Sequence, residues 1–226
     1  ADKYYLAIGR PQAFANDQAF NDGTDASPPT PVDDVGQVEY YAYDDFLSAK
    51  KIADSDVSLA IPRRNWATGT VYDYYRHDYG DINSAGATIA ADSGATSLYD
   101  ATFYVMNSTF DVYKCIDNNG GANSTVEPSG NKSTSVFSTG DSYKWKYMYS
   151  LSASEQANFL STDFMHVSTE SSDFSTTGGA IEHVKVTAGG SSGSNGTYTN
   201  VDIRGDGSSG KCTVVVGSNA VTSVTI

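Results

Sequence analysis

Three histidines, His77, His166 and His183, are all the near-neutral general bases that this chain of 226 residues offers. Nucleophilic catalysis needs a Ser or Cys within reach of a His that a carboxylate orients. None of the three has such a partner by spacing, and His183, alternating within a strand-like run, is read as a surface or packing residue. Glycine-elbow serine, phosphate loop, dinucleotide fingerprint and paired-His zinc motif are all absent from the sequence. Asp73, His77, Asp78 and Asp81 place oxygen and nitrogen donors at short spacing, which would suit a divalent cation if their loop folded back on itself. A solvated tyrosine-rich loop accounts for them more simply. Asp202, Asp206 and Ser208 hint at a calcium turn but lack the full set of alternating oxygens and the closing Glu. The expectation is therefore no metal, no cofactor and no catalytic residue: a protein that is not an enzyme.

Cys115 and Cys212 stand far apart in sequence with no neighbouring Cys at metal spacing. Two buried free thiols are expected, since free Cys behaves as a compact hydrophobe. Arg204-Gly205-Asp206 is ordinary turn chemistry at a strand end. The Asn-x-Ser/Thr sites at Asn107, Asn123, Asn131 and Asn195 carry no weight without a secretion signal.

The elements that must position these residues are β-strands. Hydrophobic residues make up 39% and charged residues 18% of the chain, below the usual share, and 16 Tyr and nine Phe favour pleated surfaces. A net charge of −13 repels a phosphate backbone, so nucleic acid is excluded as a main partner. No apolar run approaches membrane-spanning length, so no membrane partner is expected. Residues 1–9 lack the order of a secretion signal. Synthesis in the cytoplasm is expected, with Ala1 following a removed initiator Met.

Lys3 to Ile8 predicts a strand, followed by a polar loop from Asn16 to Pro31. Asp33-Asp34 and the spacing of Val38, Tyr41, Phe46, Ala49 and Ile52 predict a helix over 38–52. Val57, Leu59 and Ile61 predict a strand that stops at Pro62. Tyr99 to Met106 and Asp111 to Ile116 predict a hairpin with Cys115 on its second arm. The clearest strand is Tyr143 to Leu151, with Tyr143, Trp145, Tyr147 and Tyr149 on one face and Lys144, Lys146 and Met148 on the other. Ser152 or Ser154 caps a short helix from Glu155 to Leu160. Short strands, Ile181–Thr187, Tyr198–Ile203, Lys211–Val216 and Val221–Ile226, then alternate with Gly/Ser turns, and the last leaves an open edge, as if the native chain continued beyond Ile226.

Ile61-Pro62-Arg63-Arg64-Asn65-Trp66 combines two guanidinium groups and an indole behind a rigid proline, the residue types that dominate energetic anchors at protein interfaces. The alternative is internal: Trp66 plugging the core and the arginines pairing with carboxylates. With Leu6-Ala7-Ile8-Gly9-Arg10 and its Pro-rich continuation, Val112-Tyr113-Lys114-Cys115-Ile116-Asp117 and Gly140 to Tyr147, this stretch resembles, in order, the peripheral baseplate wedge subunit of T-even-like contractile-tailed bacteriophages. The family relative has an acid where this chain has Asn65. The resemblance covers residues 4 to 165; beyond 180 the chain departs from it and looks like the Gly-rich β repeats of many tail proteins.

That resemblance implies a mainly β protein, an antiparallel β-sandwich with one or two short helices and long loops over residues 1–177; the short strands and Gly/Ser turns beyond it predict a small separate C-terminal β-meander module over 178–226. The resemblance also implies a homodimer in the virion tail baseplate, assembled in the host bacterial cytoplasm, that links neighbouring wedge proteins and rearranges on host attachment. The interface candidates are Pro62, Arg63, Arg64 and Trp66, with Tyr72, Tyr74, Tyr75 and His77 of the following loop. Trp66→Ala with Arg64→Ala is expected to weaken assembly more than changes at Lys50 or Lys51. Two other functions compete: a carbohydrate-binding tail module, if the Tyr143–Tyr149 row faces solvent, and a host-surface polysaccharide hydrolase using paired carboxylates.

Overall fold

Alternating aromatic and polar residues settle into short antiparallel strands, and the protein is mainly β with several separate sheets. The computed structural model describes residues 3–9, 24, 26–27, 46–133, 135–168, 181 and 183–226. The chain divides into two units, residues 1–58 and 59–226.

In the first unit, β1 (Tyr4–Gly9) pairs antiparallel with β2 (Phe46–Ile52), Tyr4 lying opposite Ile52 and Ile8 opposite Ser48. Residues 46–52 are thus a strand and not the second half of the predicted helix; residues 38–45 lie outside the described residues. Ala, Leu and Lys have helical propensity, but a partner strand overrides so weak a preference. Of the predicted loop from Asn16 to Pro31, only Thr24, Ala26 and Ser27 are described, and Thr24 and Ser27 exchange backbone hydrogen bonds. The ribbon is conspicuously bare: Tyr4 is 64%, Leu6 57%, Ile8 56% and Leu47 61% exposed. A two-stranded ribbon is marginally stable in water without further cover.

The second unit is organised by a four-stranded sheet in the order β4-β5-β7-β6. The predicted hairpin forms from β4 (Tyr104–Met106) and β5 (Asp111–Asp117), with its first arm beginning at Tyr104 and not Tyr99. Its loop is wound by the Asn107 side-chain oxygen, which accepts from the Thr109 and Asp111 amides. β7 (Lys144–Ser150) pairs with the other edge of β5, and β6 (Phe137–Ser138) closes the sheet. β3 (Ala60–Pro62) pairs with β8 (Phe164–His166); it starts three residues later than predicted, leaving Val57 and Leu59 exposed. Helix α1 (Ala153–Phe159) starts at Ser152, whose hydroxyl accepts from the Glu155 amide while the Glu155 carboxylate accepts from the Ser152 amide at 2.7 Å. β9 (Gly196–Asp202), β10 (Lys211–Gly217) and β11 (Ala220–Thr225) make a third antiparallel sheet with β10 central. The predicted strand over 181–187 does not form among its described residues. Its Lys185 is instead held by Asp117, at 2.7 Å, and by Asn118.

Tyr72, Val105, Tyr113, Cys115, Tyr143 and Trp145 form one core cluster, and Met106, Val112, Tyr149, Leu151 and Met165 another. The predicted aromatic face of β7 therefore splits. A register shift between Val112 and Tyr113 delivers Tyr149 to the second cluster, as a bulge re-aims side chains. Cys115 is free and fully buried as expected, whereas Cys212, also free, is only half-buried.

Three carboxylates hold loops and helix to this frame and set its acid sensitivity. Burial alone would raise the Asp111 carboxyl; the Lys132 ammonium at 2.8 Å and the Ser150 and Thr109 hydroxyls overcome that and hold it below its usual 3.8. Asp141 and Glu155 are likewise lowered on balance, against burial, by the hydroxyl and amide donors around them. A carboxyl lowered on folding contributes stability that is complete above its usual value and is lost as pH falls through the folded one. Urea midpoints should therefore fall steeply below about pH 4, after a shallower decline below about 6.5 from His183, whose imidazole burial holds below its usual value. Asp111→Asn should flatten that fall.

Candidate docking segment

Residues 62–77 follow β3 and are laced to the body by backbone bonds. The Arg63 amide donates to Asp163 O at 2.7 Å, the Met106 amide to Arg64 O at 2.7 Å and the Trp66 amide to Met106 O at 2.9 Å. Asn65 and Met106 form a parallel bridge, so the segment runs beside β4. Beyond it the Asp73 amide donates to Thr102 O and the Tyr75 amide to Cys115 O.

The side chains follow the same inward logic. Pro62, which has no amide to give, uses its carbonyl to accept from the Tyr104 hydroxyl at 2.8 Å. Arg63 donates to Ser161 O at 2.9 Å and to the Asn65 side chain. Arg64 donates to Tyr99 O at 2.9 Å, and its guanidinium lies 5.5 Å from the Tyr104 ring centre. Its Nε is buried without a hydrogen-bond partner among the described residues. The Trp66 indole is half-buried against the first core cluster and donates to the Ser124 hydroxyl at 3.1 Å. Trp66 therefore braces the protein's own core. The arginines reach loop carbonyls and not the carboxylates that sequence reasoning offered them: Arg's planar fork suits fixed backbone acceptors.

The tyrosine-rich continuation divides between inside and outside. Tyr72 is in the core, edge-on to Trp145 at 5.8 Å, with its hydroxyl accepting from the Ala67 amide. Tyr74 is half-buried under the Lys185 ammonium, 4.2 Å above its ring. Tyr75 is 40% exposed and carries the Lys114 ammonium 3.5 Å over its ring. His77 is exposed. Of the eight candidates, Tyr75 and His77 are exposed, Tyr72 is buried, and Pro62, Arg63, Arg64, Trp66 and Tyr74 are half-buried.

The four residues with metal-like spacing do not gather. Asp73 is fully buried and its carboxylate accepts from the Ser93 amide at 2.8 Å, the Ser93 hydroxyl at 2.6 Å, the Thr102 amide at 2.7 Å and the Thr102 hydroxyl at 3.1 Å. Asp78 is bound twice by Arg76, at 2.8 and 2.6 Å, and the guanidinium holds its carboxyl below the usual range. Among the described residues no group of three or more His, Cys, Asp and Glu is arranged to hold a metal. Asp202 pairs with Lys211 at 3.2 Å across β9 and β10.

Sequence reasoning missed Asp73 and Asp141 as organising residues. Asp141 accepts from the Thr125 and Val126 amides at 2.8 and 3.0 Å and from the Ser124 hydroxyl. The Asp73 partners lie 20 and 29 residues away, and Asp141 adds partners 15 to 17 residues away to its local bonds with Thr139 and Tyr143, so no local motif reveals the long-range contacts. Among the described residues no helix is long and apolar enough to cross a membrane. No family model, curated protein or solved structure matches the chain.

Proposed function

We propose that the protein is a structural component of a contractile phage tail baseplate wedge: a homodimer, located in the virion, that links neighbouring baseplate proteins and rearranges on host attachment without catalysing a reaction. In this reading the second unit's sheets are layers of a sandwich, with residues 178–226 as an appended module. The four ordered stretches that resemble the peripheral wedge subunit support it. The observation that carries it is the bare β1–β2 ribbon, which includes most of the first of those stretches. Tyr4, Tyr5, Leu6, Ile8 and Leu47 are all more than half exposed. The ribbon's residues, with the adjoining Lys3, hold three lysines, of which Lys50 pairs with Asp56 at 2.5 Å, in a chain of net charge −13. Apolar surface flanked by Lys3 and Lys51 suits an acidic protein neighbour.

This moves the expected hot spot from Arg64 and Trp66 to the ribbon. Co-purification with wedge proteins should fall at least about tenfold for Leu6→Asp combined with Lys51→Glu, with the thermal midpoint of residues 59–226 unchanged. Trp66→Ala should lower that midpoint and weaken capture only in proportion to unfolding. Undiminished capture by the ribbon variant would remove the reading's main support.

The aromatic row from Tyr143 to Tyr149 faces inward: Tyr143 and Trp145 are fully buried, Tyr149 is 4% exposed and Tyr147 is half-buried against the first core cluster. Stacking on a sugar ring needs an open ring face.

A further inference from the structure

The β9–β11 sheet has one apolar face and one polar face; Gly193 lies against Val216 at one end of the apolar face, and no residue of either face is buried. Register fixes the faces. Val214 lies between Tyr198 and Val224, Cys212 beside Val201, and Val216 beside Val221. Asn200, at φ 56°, provides the irregularity that puts both Tyr198 and Val201 on this side. On the other side Lys211 faces Asp202, Thr213 faces Thr225, and Val215 sits between Thr197 and Ser223. A sheet covered on one side buries alternate residues of its central strand. β10 shows no such alternation, and no residue of the sheet is buried. Tyr198 remains 44% and Val201 37% exposed.

We infer that this apolar face is the self-association surface of the protein, packing against the same face of a second copy. The inference deepens, and rests on, the dimer in the proposed function. Charge selects the occupant. At −13, two copies repel over most of their surface. The apolar face carries no charged residue, and over residues 196–226 Arg204 and Lys211 balance Asp202 and Asp206. This is where two copies can approach at least electrostatic cost. An isologous contact also needs a self-complementary patch, and a flat face of Val, Tyr and Cys satisfies that by stacking sheet on sheet about 10 Å apart.

Size sets the strength. Three strands about 4.8 Å apart and about 20 Å long give a footprint of roughly 300 Å² per copy, well under the roughly 800 Å² per partner of a standard stable interface. The contact is therefore weak and concentration-dependent. Because repulsion elsewhere opposes it, added salt should strengthen it by screening, whereas salt would weaken docking on an oppositely charged partner.

Cys212 reports on the face directly, since Cys115 is fully buried and burial pushes its thiol far above the usual range. Sedimentation velocity and reaction with Ellman's reagent on the full chain test the inference together. Between about 1 and about 200 μM the wild type should shift from monomer toward dimer, more so in high salt, and the Cys212 rate should fall about threefold or more. Tyr198→Glu and Val214→Asp should stay monomeric with a constant rate, while Ser223→Asp, on the polar face, should dimerise like wild type. Tyr198 is an exposed edge-strand position, so its variant keeps the test valid if Val214→Asp misfolds. A wild-type dimer that both variants preserve would overturn this face and leave the homodimer intact. A strictly monomeric wild type with a flat rate would overturn both, while wedge membership would still be decided by co-purification.

Discussion

Asp73→Ala is expected to destabilise the second unit by about 3–5 kcal/mol, the largest effect of any single polar substitution proposed for this protein. The fully buried carboxylate accepts four hydrogen bonds, two from backbone amides of Ser93 and Thr102. Removing it takes the acceptor from both amides, and hydrogen bonds to a charged group are worth about 1.5–3 kcal/mol each. Ser93→Ala and Thr102→Val remove only a hydroxyl each and should cost about 1 kcal/mol. Asp73→Asn should fall between, because one of its two positions becomes a donor facing donors. Urea titration followed by far-ultraviolet circular dichroism measures all four. An Asp73→Ala midpoint close to wild type would mean that the loop over 92–102 is held by something else. The result also bears on function, because a carboxylate that closes a loop from inside is spent on shape and not on a cation.

Trp145→Ala should cost a similar amount, about 3–5 kcal/mol, by leaving a void between Tyr143, stacked on it at 5.5 Å, and Tyr72. Trp145→Phe should cost much less, about 1 kcal/mol, for a specific reason. The indole Nε1 is buried with no hydrogen-bond partner among the described residues, so the phenyl ring forfeits volume but also removes an unsatisfied donor. Emission from Trp145 alone, read in a Trp66→Phe background, should be blue-shifted and should not respond to glycans. A red-edge spectrum that shifts on adding oligosaccharide would return the row to the surface and revive the carbohydrate-binding alternative.

The two predictions show where the sequence was legible and where it was not. β-type runs bounded by turn residues placed β1, β5, β9, β10 and β11 to within a residue or two, and period-two alternation, which follows directly from strand geometry, placed β7. Ser152, one of two candidate caps, marked the helix, which begins at Ala153 and not at Glu155. Residues 46–52 misled because Leu, Ala and Lys suit a helix, and only pairing with β1 decides otherwise. The run over 181–187 misled in the opposite direction: its alternation was real, yet Lys185 found Asp117 in place of a strand partner. Arg64 and Trp66 looked like interface anchors because interfaces and cores prefer the same residue types; side-chain identity cannot say which side of the surface an indole occupies. Asp73 was noticed for the wrong chemistry. Its partners come from distant loops, and only the fold assembles them.

The central claim is that the conspicuous aromatic and basic residues of the body are spent on shape, while the bare lysine-bearing ribbon makes the external contact. Cross-linking mass spectrometry on intact tailed particles containing this chain tests it most directly. The account predicts cross-links from Lys3, Lys50 and Lys51 to other tail proteins. Absence of the chain from particles, or cross-links from Lys3, Lys50 and Lys51 that all return to the same chain while another surface contacts the neighbours, would contradict it.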